Sequence, residues 1–168
     1  MALDFALAHG RDVIGAVASA PGLRSAIPPW WKLLLANVAL ATAPGIGFPH
    51  GLPEGGMSRD PEVTRLRKTD PLIHDRISPR LYHDFTEARQ RVLRDARRLS
   101  VPTLLLHGGS DEVVDPSGTA EFAASAPARL VKHIVYPGYY HEIFNDLDRE
   151  RVVRDLVAWL DERVGKTR

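Results

Sequence analysis

The fold is most readily inferred from one stretch of the chain, Thr103-Leu104-Leu105-Leu106-His107-Gly108-Gly109-Ser110-Asp111. The run Thr103–Leu106 is apolar on both faces, which is typical of a strand in a parallel sheet covered by helices. A Gly-Gly turn follows, and then an acidic residue. Loops at the carboxyl ends of parallel strands are where such sheets carry their functional side chains. Asp111 is therefore the first candidate site residue.

The sequence after Asp111 predicts a second strand, Val131–Tyr136, reached through a helix that begins at Asp115-Pro116. The Asp115 carboxylate can cap that helix, and proline suits its first position. Short strand–helix–strand connections imply parallel pairing with right-handed crossovers. A last helix follows, and its apolar residues recur every three or four positions, so we expect one buried stripe. That stripe consists of Val153, Leu156, Val157, Leu160 and Val164.

The second strand runs into Pro137-Gly138-Tyr139-Tyr140-His141, so a histidine occupies the same kind of position as Asp111. Serine hydrolysis needs a base that removes the hydroxyl proton and an acid that holds this base in the right tautomer. An acid and then a histidine, each after a strand, form the end of the Ser–Asp–His order of α/β-hydrolases. The serine belongs in an earlier Gly-x-Ser-x-Gly turn, and the 168 residues contain no such turn.

Other residues compete for both roles. Asp115 is the rival acid, although its position suits a helix cap, and Glu112 has no feature of its own in its favour. His133 lies inside the second strand, whereas His107 directly precedes the Gly-Gly turn. Four further histidines stand in helix-end or insertion contexts: His9, His50, His74 and His83. Spacing alone leaves open whether the leading pair is catalytic or consists of ordinary loop residues.

The chain begins with Met1-Ala2-Leu3-Asp4-Phe5-Ala6, which has neither the basic leader nor the cleavage site of a signal peptide. It predicts that the chain begins inside a helix, because no capping residue precedes the helical residues. This start favours a truncated chain. We expect Gly10 to end the helix in the left-handed conformation. The run Val13–Ala18 then predicts a buried strand followed by a turn.

Between about residue 23 and residue 100 the alternation of strands and helices is lost. Most of the prolines lie here, together with the Gly-rich stretch Pro44–Met57, which predicts an insertion between two strands. Within it, Trp30–Ala41 is apolar all round and too short to span a bilayer, so we expect a helix buried against something. Plain packing is one interpretation of this helix. The other is the wall of an acyl-chain pocket, or a lid that makes peripheral contact with a membrane.

Composition excludes several classes of protein. The chain is 44% hydrophobic and 26% charged with a net charge of +1, as in ordinary globular proteins, so nothing points to nucleic acid. Five arginines crowd a short stretch that is interpreted as a solvated helix face rather than a polyanion site: Arg89, Arg91, Arg94, Arg97 and Arg98. The absence of cysteine excludes disulfides, thiol catalysis and thiolate metal sites, and fits a cytoplasmic protein.

Five parts of the sequence together resemble monoacylglycerol lipase-like α/β-hydrolases, a group that includes lysophospholipases and serine aminopeptidase-like hydrolases. Those parts are the acid loop Leu104–Asp111 with Val114–Pro116, the histidine region Gly138–Asn145, the cap-like stretches Ser58–Val63 and Thr69–His74, and the opening Ala2–Ala6. The opening is similar to the helix behind the nucleophile of that family. The likeness covers essentially the whole chain.

The resemblance implies that Asp111 is the acid of a catalytic triad and His141 its base. It places the family's serine just before Met1. One oxyanion donor is the backbone N–H after that serine and the other lies in an earlier His-Gly loop, so neither has a counterpart here. The implied fold is the C-terminal part of an α/β-hydrolase, a parallel sheet flanked by helices, with a mainly helical cap insertion. No metal or organic cofactor is implied.

The resemblance implies three regions in the chain. Residues 1–22 hold the end of the nucleophile helix and one strand, residues 23–100 form the cap and return to the core, and residues 101–168 carry the acid and the base. The implied function is hydrolysis of a monoacylglycerol or related lipid ester through an acyl-serine intermediate. We expect the chain to be inactive by itself.

Alternatives to this function remain open. An acyltransferase or a peptidase could use the same triad. A different class is a non-catalytic α/β-hydrolase remnant that binds a lipid or a protein partner. A Rossmann-type nucleotide binder is disfavoured, because no Gly-x-Gly-x-x-Gly follows any strand.

Overall fold

The structure is a computed structural model that describes residues 1–24, 29–51 and 55–165. Its α-helices are α1 Ala2–His9, α2 Trp30–Thr42, α3 Pro61–Thr69, α4 Pro79–Asp95, α5 Pro116–Ser125 and α6 Arg149–Val164. Its strands are β1 Ala16–Ser19, β2 Phe48–Pro49, β3 Arg76–Ile77, β4 Thr103–Gly108 and β5 Val131–Tyr136. Short 3₁₀ turns span Gly10–Asp12, Ala96–Arg98, Ala128–Leu130 and Ile143–Asn145.

The central sheet is parallel, with the strand order β1-β4-β5. Thr103 of β4 is in register with Ala16 of β1 on one side and with Val131 of β5 on the other. Every residue of β4 is buried. The parallel sheet flanked by helices is therefore confirmed. The separate ribbon of β2 and β3 is antiparallel and belongs to the insertion.

The sheet separates two apolar clusters, and β4 contributes to both because neighbouring side chains in a strand point to opposite faces. The first cluster contains α1, the end of α4 and α5, and includes Leu3, Ala6, Val92, Ala96, Leu99, Leu105 and Phe122. The second contains α6 and the region after β5, and consists of Leu104, Leu106, Tyr136, Tyr139, Ile143, Val152 and Trp159. The end of α4 is thus part of the core rather than of the insertion.

Three helices begin in the same way, with a side-chain cap followed by proline at the start of the helix. Asp60 accepts a hydrogen bond from a backbone N–H of α3, Ser78 from one of α4 and Asp115 from one of α5, over 2.9, 3.1 and 2.8 Å. Such caps satisfy N–H groups that have no partner within the helix. The predicted start of α5 is confirmed.

The beginning of the chain departs from expectation twice. Gly10 has φ −59° and ψ −19°, so the expected left-handed helix end is wrong, and a 3₁₀ turn starts there instead. A Cβ at this position would lie 2.5 Å from Ser100 Oγ, so a larger residue would require the Ser100 side chain to move. The 3₁₀ turn ends at Asp12, and β1 begins at Ala16 rather than at the expected Val13.

The face that α6 buries is also different from the expected one. Val152 and Trp159 are 0% and 1% exposed, whereas Val153, Val157, Leu160 and Val164 are 44%, 47%, 40% and 54% exposed. The prediction of a buried stripe is therefore wrong for four of its five members, and only Leu156 packs against the core. Two stripes with the same spacing lie side by side on this helix, and the inward one contains the large Trp159 ring, which packs against Gly15.

The helix α2 is not buried all round, contrary to expectation. It contains no buried residue, and Trp30, Leu34 and Val38 are 76%, 56% and 54% exposed. Its inner side, which includes Ala36 and Ala39, is partly covered. Among the described residues, no helix is both long enough and apolar enough to cross a bilayer.

Candidate active site

The acid loop begins at the end of β4, where Gly108 allows a second segment to cross. A Cβ on Gly108 would overlap the carbonyl oxygens of Tyr139 and Tyr140. The following N–H groups complete the junction, since Gly109 donates to the Tyr136 carbonyl over 2.8 Å and Ser110 to the Tyr139 carbonyl over 2.9 Å. Glycine at this strand end therefore places the two loops against each other.

The histidine loop, residues 137–146, follows β5. Gly138 has φ +81°, a left-handed conformation that glycine adopts without steric cost. This turn directs the chain back over β4, so that His141 faces the acid loop. The imidazole of His141 keeps 24% of its surface exposed. A group held partly open at the rim of the sheet can meet a substrate.

The structure brings the two predicted site residues together. His141 Nδ1 lies 2.8 Å from Asp111 Oδ2. Because an ionised carboxylate only accepts hydrogen bonds, Nδ1 carries the proton in this contact and Nε2 has a free lone pair. Among the described residues, Nε2 has no hydrogen-bond partner. His141 is thus in the tautomer that a general base requires.

The side chain of Asp111 is completely buried, yet its environment favours the charged form. Burial by itself would raise the pKa of Asp111. Hydrogen bonds from His107, His141 and the backbone N–H of Val114 outweigh burial and hold the pKa of this carboxyl well below its usual range. Its second oxygen accepts from the N–H groups of Val113 and Val114, both over 2.9 Å. The carboxylate is therefore fixed in place and ionised.

His107 is the residue that sequence reasoning missed. It is 0% exposed, and its Nε2 lies 3.1 Å from Asp111 Oδ2 and 3.3 Å from the Val114 carbonyl oxygen. Two acceptors around Nε2 place a proton there, so Nδ1 accepts from the Thr119 hydroxyl over 2.7 Å. The available signal was the spacing of His107 and Asp111, since His107 lies near the end of β4 and Asp111 in the turn that follows.

The competing residues lie elsewhere. Asp115 caps α5 and Glu112 is exposed, so neither contacts His141. His133 has a buried Nε2 that finds no hydrogen-bond partner in the described part of the chain. The Ser58 hydroxyl donates to the Asn145 carbonyl over 2.7 Å, and no serine among the described residues hydrogen-bonds to His141. Within the same residues, no cluster of three acidic or histidine side chains could hold a metal ion.

An open apolar cavity of about 630 Å³ lies in the insertion, between α2, the β2–β3 ribbon and the start of α4. Its walls include Leu33, Leu35, Ala36, Ala39, Phe48, Ile77 and Tyr82. Neither Asp111 nor His141 contributes to its lining. The cavity can take an apolar chain but contains none of the acid–base chemistry.

Comparison with known proteins identifies the family and the fold of the chain. Residues 1–148 match the family described as serine aminopeptidase, S33. A monoacylglycerol lipase of Mycolicibacterium smegmatis is 31% identical over 75% of this chain and 45% of its own length. A monoglyceride lipase of Rattus norvegicus is 27% identical over 80% and 45%. The crystal structure of the Paleococcus ferrophilus monoacylglycerol lipase matches with a TM-score of 0.90 and 31% identity, over 96% of this chain and 63% of that one.

The fold is therefore that of an α/β-hydrolase, with a parallel sheet that carries an acid–histidine pair at its carboxyl edge. The chain belongs to the serine aminopeptidase S33 family, and the resemblance to monoacylglycerol lipases inferred from sequence is confirmed. It spans about half the length of the curated relatives it matches.

Proposed function

We propose that this chain supplies the cap and the acid–base pair of a serine hydrolase that cleaves carboxylic esters of lipids, such as monoacylglycerols. The nucleophilic serine and the oxyanion donors come from a segment outside these 168 residues. In this proposal residues 1–22 and 101–168 belong to the core sheet and its helices, and residues 23–100 form the cap and its return to the core, which includes the end of α4. The chain alone is inactive, because two of the required elements are missing from it.

The observation that carries the proposal is the 2.8 Å contact between His141 Nδ1 and Asp111 Oδ2. In the reaction, His141 Nε2 takes the proton of the serine hydroxyl while the serine oxygen attacks the ester carbonyl carbon. The same proton then passes to the departing alcohol as its C–O bond breaks, which leaves an acyl-serine. Water attacks this second ester with His141 again as base, and releases the fatty acid. Asp111 stays ionised throughout and stabilises the imidazolium.

A lipid acyl group is supported by the cavity beside α2. Its lining is mainly apolar, and its volume of about 630 Å³ falls within the range of pockets that bind small molecules. The outward side of α2 exposes Trp30, Leu34 and Val38, so it can contact the lipid surface from which such a substrate arrives. The similar proteins named monoacylglycerol lipase support the same substrate class.

A fluorophosphonate probe, which reacts covalently with activated serines, tests this proposal. The longest reading frame that contains these 168 residues is expressed alongside the chain by itself. We expect labelling at one serine of the longer protein, hydrolysis of long-chain monoacylglycerol, and no labelling of the chain alone. Asp111→Asn and His141→Ala each lower labelling and turnover by several orders of magnitude, because triad members act as a unit.

Two matched variants control for nonspecific effects of mutation. Asp115→Asn changes an exposed carboxylate in the same loop, and His83→Ala removes an exposed imidazole, and both keep near-normal labelling. A longer protein that is not labelled, or that is indifferent to His141, contradicts the hydrolase proposal and favours a non-catalytic remnant. Faster turnover of aminoacyl amides than of lipid esters instead points to a peptidase.

A further inference from the structure

A short segment of the insertion runs alongside the histidine loop. This bridging segment, residues 55–60, lies between β2 and α3 in the chain. Its carbonyl oxygens accept hydrogen bonds from the histidine loop, since His141 N donates to Gly56 over 3.3 Å and Glu142 N donates to Met57 over 2.7 Å. Met57 is 7% exposed, so the segment is packed into the body of the protein. The backbone of His141 thus depends on the cap for its hydrogen bonding.

The same two segments are joined by a buried ion pair. Arg59 Nε lies 2.6 Å from Asp146 Oδ1, and the Asp146 side chain is 0% exposed. The other oxygen of Asp146 accepts from the backbone N–H of Tyr140 over 3.2 Å. The Arg59 guanidinium also lies 4.3 Å from the centre of the Tyr139 ring, a cation–π contact. Arg59 therefore contacts both the carboxylate and the aromatic side chain of the histidine loop.

These contacts converge on the residue that precedes the base. Asp146 accepts a hydrogen bond from the backbone N–H of Tyr140, the residue directly before His141 in the chain. A buried carboxylate can keep this position only if its charge is compensated. Arg59 provides that compensation from the cap. A second cation of the cap, Arg67 on α3, forms a partly buried ion pair with Glu142, on the other side of His141. His141 therefore lies between Tyr140 and Glu142, and contacts with the cap fix both of these neighbours.

We propose that Arg59, acting through Asp146, is a positioning residue for His141, so that the placement of the cap and the placement of the base are coupled. The catalytic meaning of this role rests on the proposed function, whereas the coupling itself does not. When Arg59 leaves Asp146, the Tyr140–Glu142 backbone loosens and the Nδ1 contact with Asp111 is made less often. When Arg59 of the cap pairs with Asp146, His141 keeps its Nδ1 contact with Asp111.

Hydrogen exchange of backbone amides on the 168-residue chain tests the coupling directly. Arg59→Ala is compared with Arg65→Ala, which removes an exposed arginine of α3 that pairs with Glu62 at the surface. We expect the amides of Tyr140, His141 and Glu142 to exchange on the order of tenfold faster in Arg59→Ala, because local opening becomes easier. Amides of β4 should stay unchanged, and Arg65→Ala should resemble the parent chain throughout.

Two further variants separate positioning from general destabilisation. Arg59→Lys keeps the charge without the planar guanidinium, so its exchange should lie between those of the parent and Arg59→Ala. Asp146→Asn keeps an acceptor for Tyr140 but removes the charge, and should lessen the effect of a second Arg59→Ala change. Unchanged exchange in Arg59→Ala, or a uniform rise that includes β4, overturns the proposal. If Arg59→Ala does not fold, the comparison of Arg59→Lys with Arg65→Lys decides in the same way.

In the longer protein, Arg59→Ala should lower kcat about tenfold with little change in KM, since the loss affects the base rather than substrate binding. Arg65→Ala should leave both constants near their original values. A longer protein with no esterase activity at all contradicts the proposed function and leaves the exchange result standing. An active protein with normal kcat in Arg59→Ala contradicts the positioning role.

Discussion

His107 and His141 donate hydrogen bonds to the same carboxylate oxygen, Oδ2 of Asp111, over 3.1 and 2.8 Å. One imidazole is completely buried beside α5 and the other is partly exposed at the rim of the sheet. The Asp111 carboxylate is thus held on its buried side by a histidine that is itself completely buried. This arrangement fixes the direction in which Asp111 presents its charge to His141.

Replacing His107 by phenylalanine should lower the free energy of unfolding by about 1–3 kcal/mol, since it leaves the Thr119 hydroxyl and one Asp111 lone pair buried without their partner. His133→Phe is the matched control on the neighbouring strand. Its buried Nε2 has no hydrogen-bond partner among the residues that the structure describes, so the change should cost little or even stabilise. Urea unfolding of both variants measures the difference, and equal losses would show that His107 is only a space-filling residue.

Asp111 should make stability depend on pH in the acid range. Its pKa is lowered in the folded chain, so its contribution is fully present above the ordinary carboxyl pKa near 3.8 and is lost as the pH falls towards the folded value. Asp111→Asn should therefore flatten the decline of the free energy of unfolding below about pH 4. Urea midpoints between pH 2.5 and pH 7, at roughly half-unit steps, measure the slope.

Glu62→Gln is the comparison for that experiment. The pKa of Glu62 is also lowered, through its hydrogen bond with Arg65, but this pair is exposed. Exposed pairs contribute little and are screened by salt. We expect the Glu62→Gln slope to match that of the parent chain at moderate ionic strength. An unchanged slope in Asp111→Asn would mean that burial cancels the hydrogen bonds to this carboxylate.

The cavity beside α2 should bind an acyl chain in a way that depends on Leu35 and not on Leu34. Leu35 lines the cavity and its neighbour Leu34 does not, although the two side chains are similarly exposed, at 59% and 56%. Leu35→Asp should weaken binding of a pyrene-labelled long-chain monoacylglycerol about tenfold or more, because a carboxylate would enter an apolar wall. Leu34→Asp should change binding less than twofold. Similar losses in both variants would mean that the label binds the outer surface of α2.

The chain should self-associate through the exposed side of α6. Val153, Val157, Leu160 and Val164 form a continuous apolar stripe there, and β1 pairs with a neighbour on one side only among the described residues. Unpaired strand edges and apolar stripes favour association. Val157→Lys combined with Leu160→Glu should shift the chain towards monomer in sedimentation experiments without loss of stability.

Val152→Lys supplies the contrast, because that side chain is 0% exposed and its charge would disrupt the core. Val152→Lys should therefore unfold the chain rather than shift it towards monomer. A parent chain that sediments as a monomer at every concentration would contradict the association.

Local patterns in the sequence were sufficient for β4 and β5, for the start of α5, and for the choice of Asp111 and His141 as the leading pair. Each of these depends on residues within a few positions of one another: a run of apolar residues, a capping residue before proline, a polar residue directly after a strand. The chemistry of a strand end can be stated before the strand is seen in three dimensions. That two histidines, His107 and His141, share one oxygen of Asp111 could not be predicted in this way.

The tertiary structure alone decided which side of α6 is buried, that α2 is open on its outer side, and that His107 supports the acid. Two stripes of equal spacing exist on α6, and the inward one carries Val152 and Trp159, which pack in the second apolar cluster. His107 obtains its role from Thr119 and Asp111, which reach it through the geometry of a buried turn. Arg59 and Asp146 lie 87 positions apart in the chain and meet only after folding. Such contacts depend on packing between distant segments, and that information is absent from any local pattern of residues.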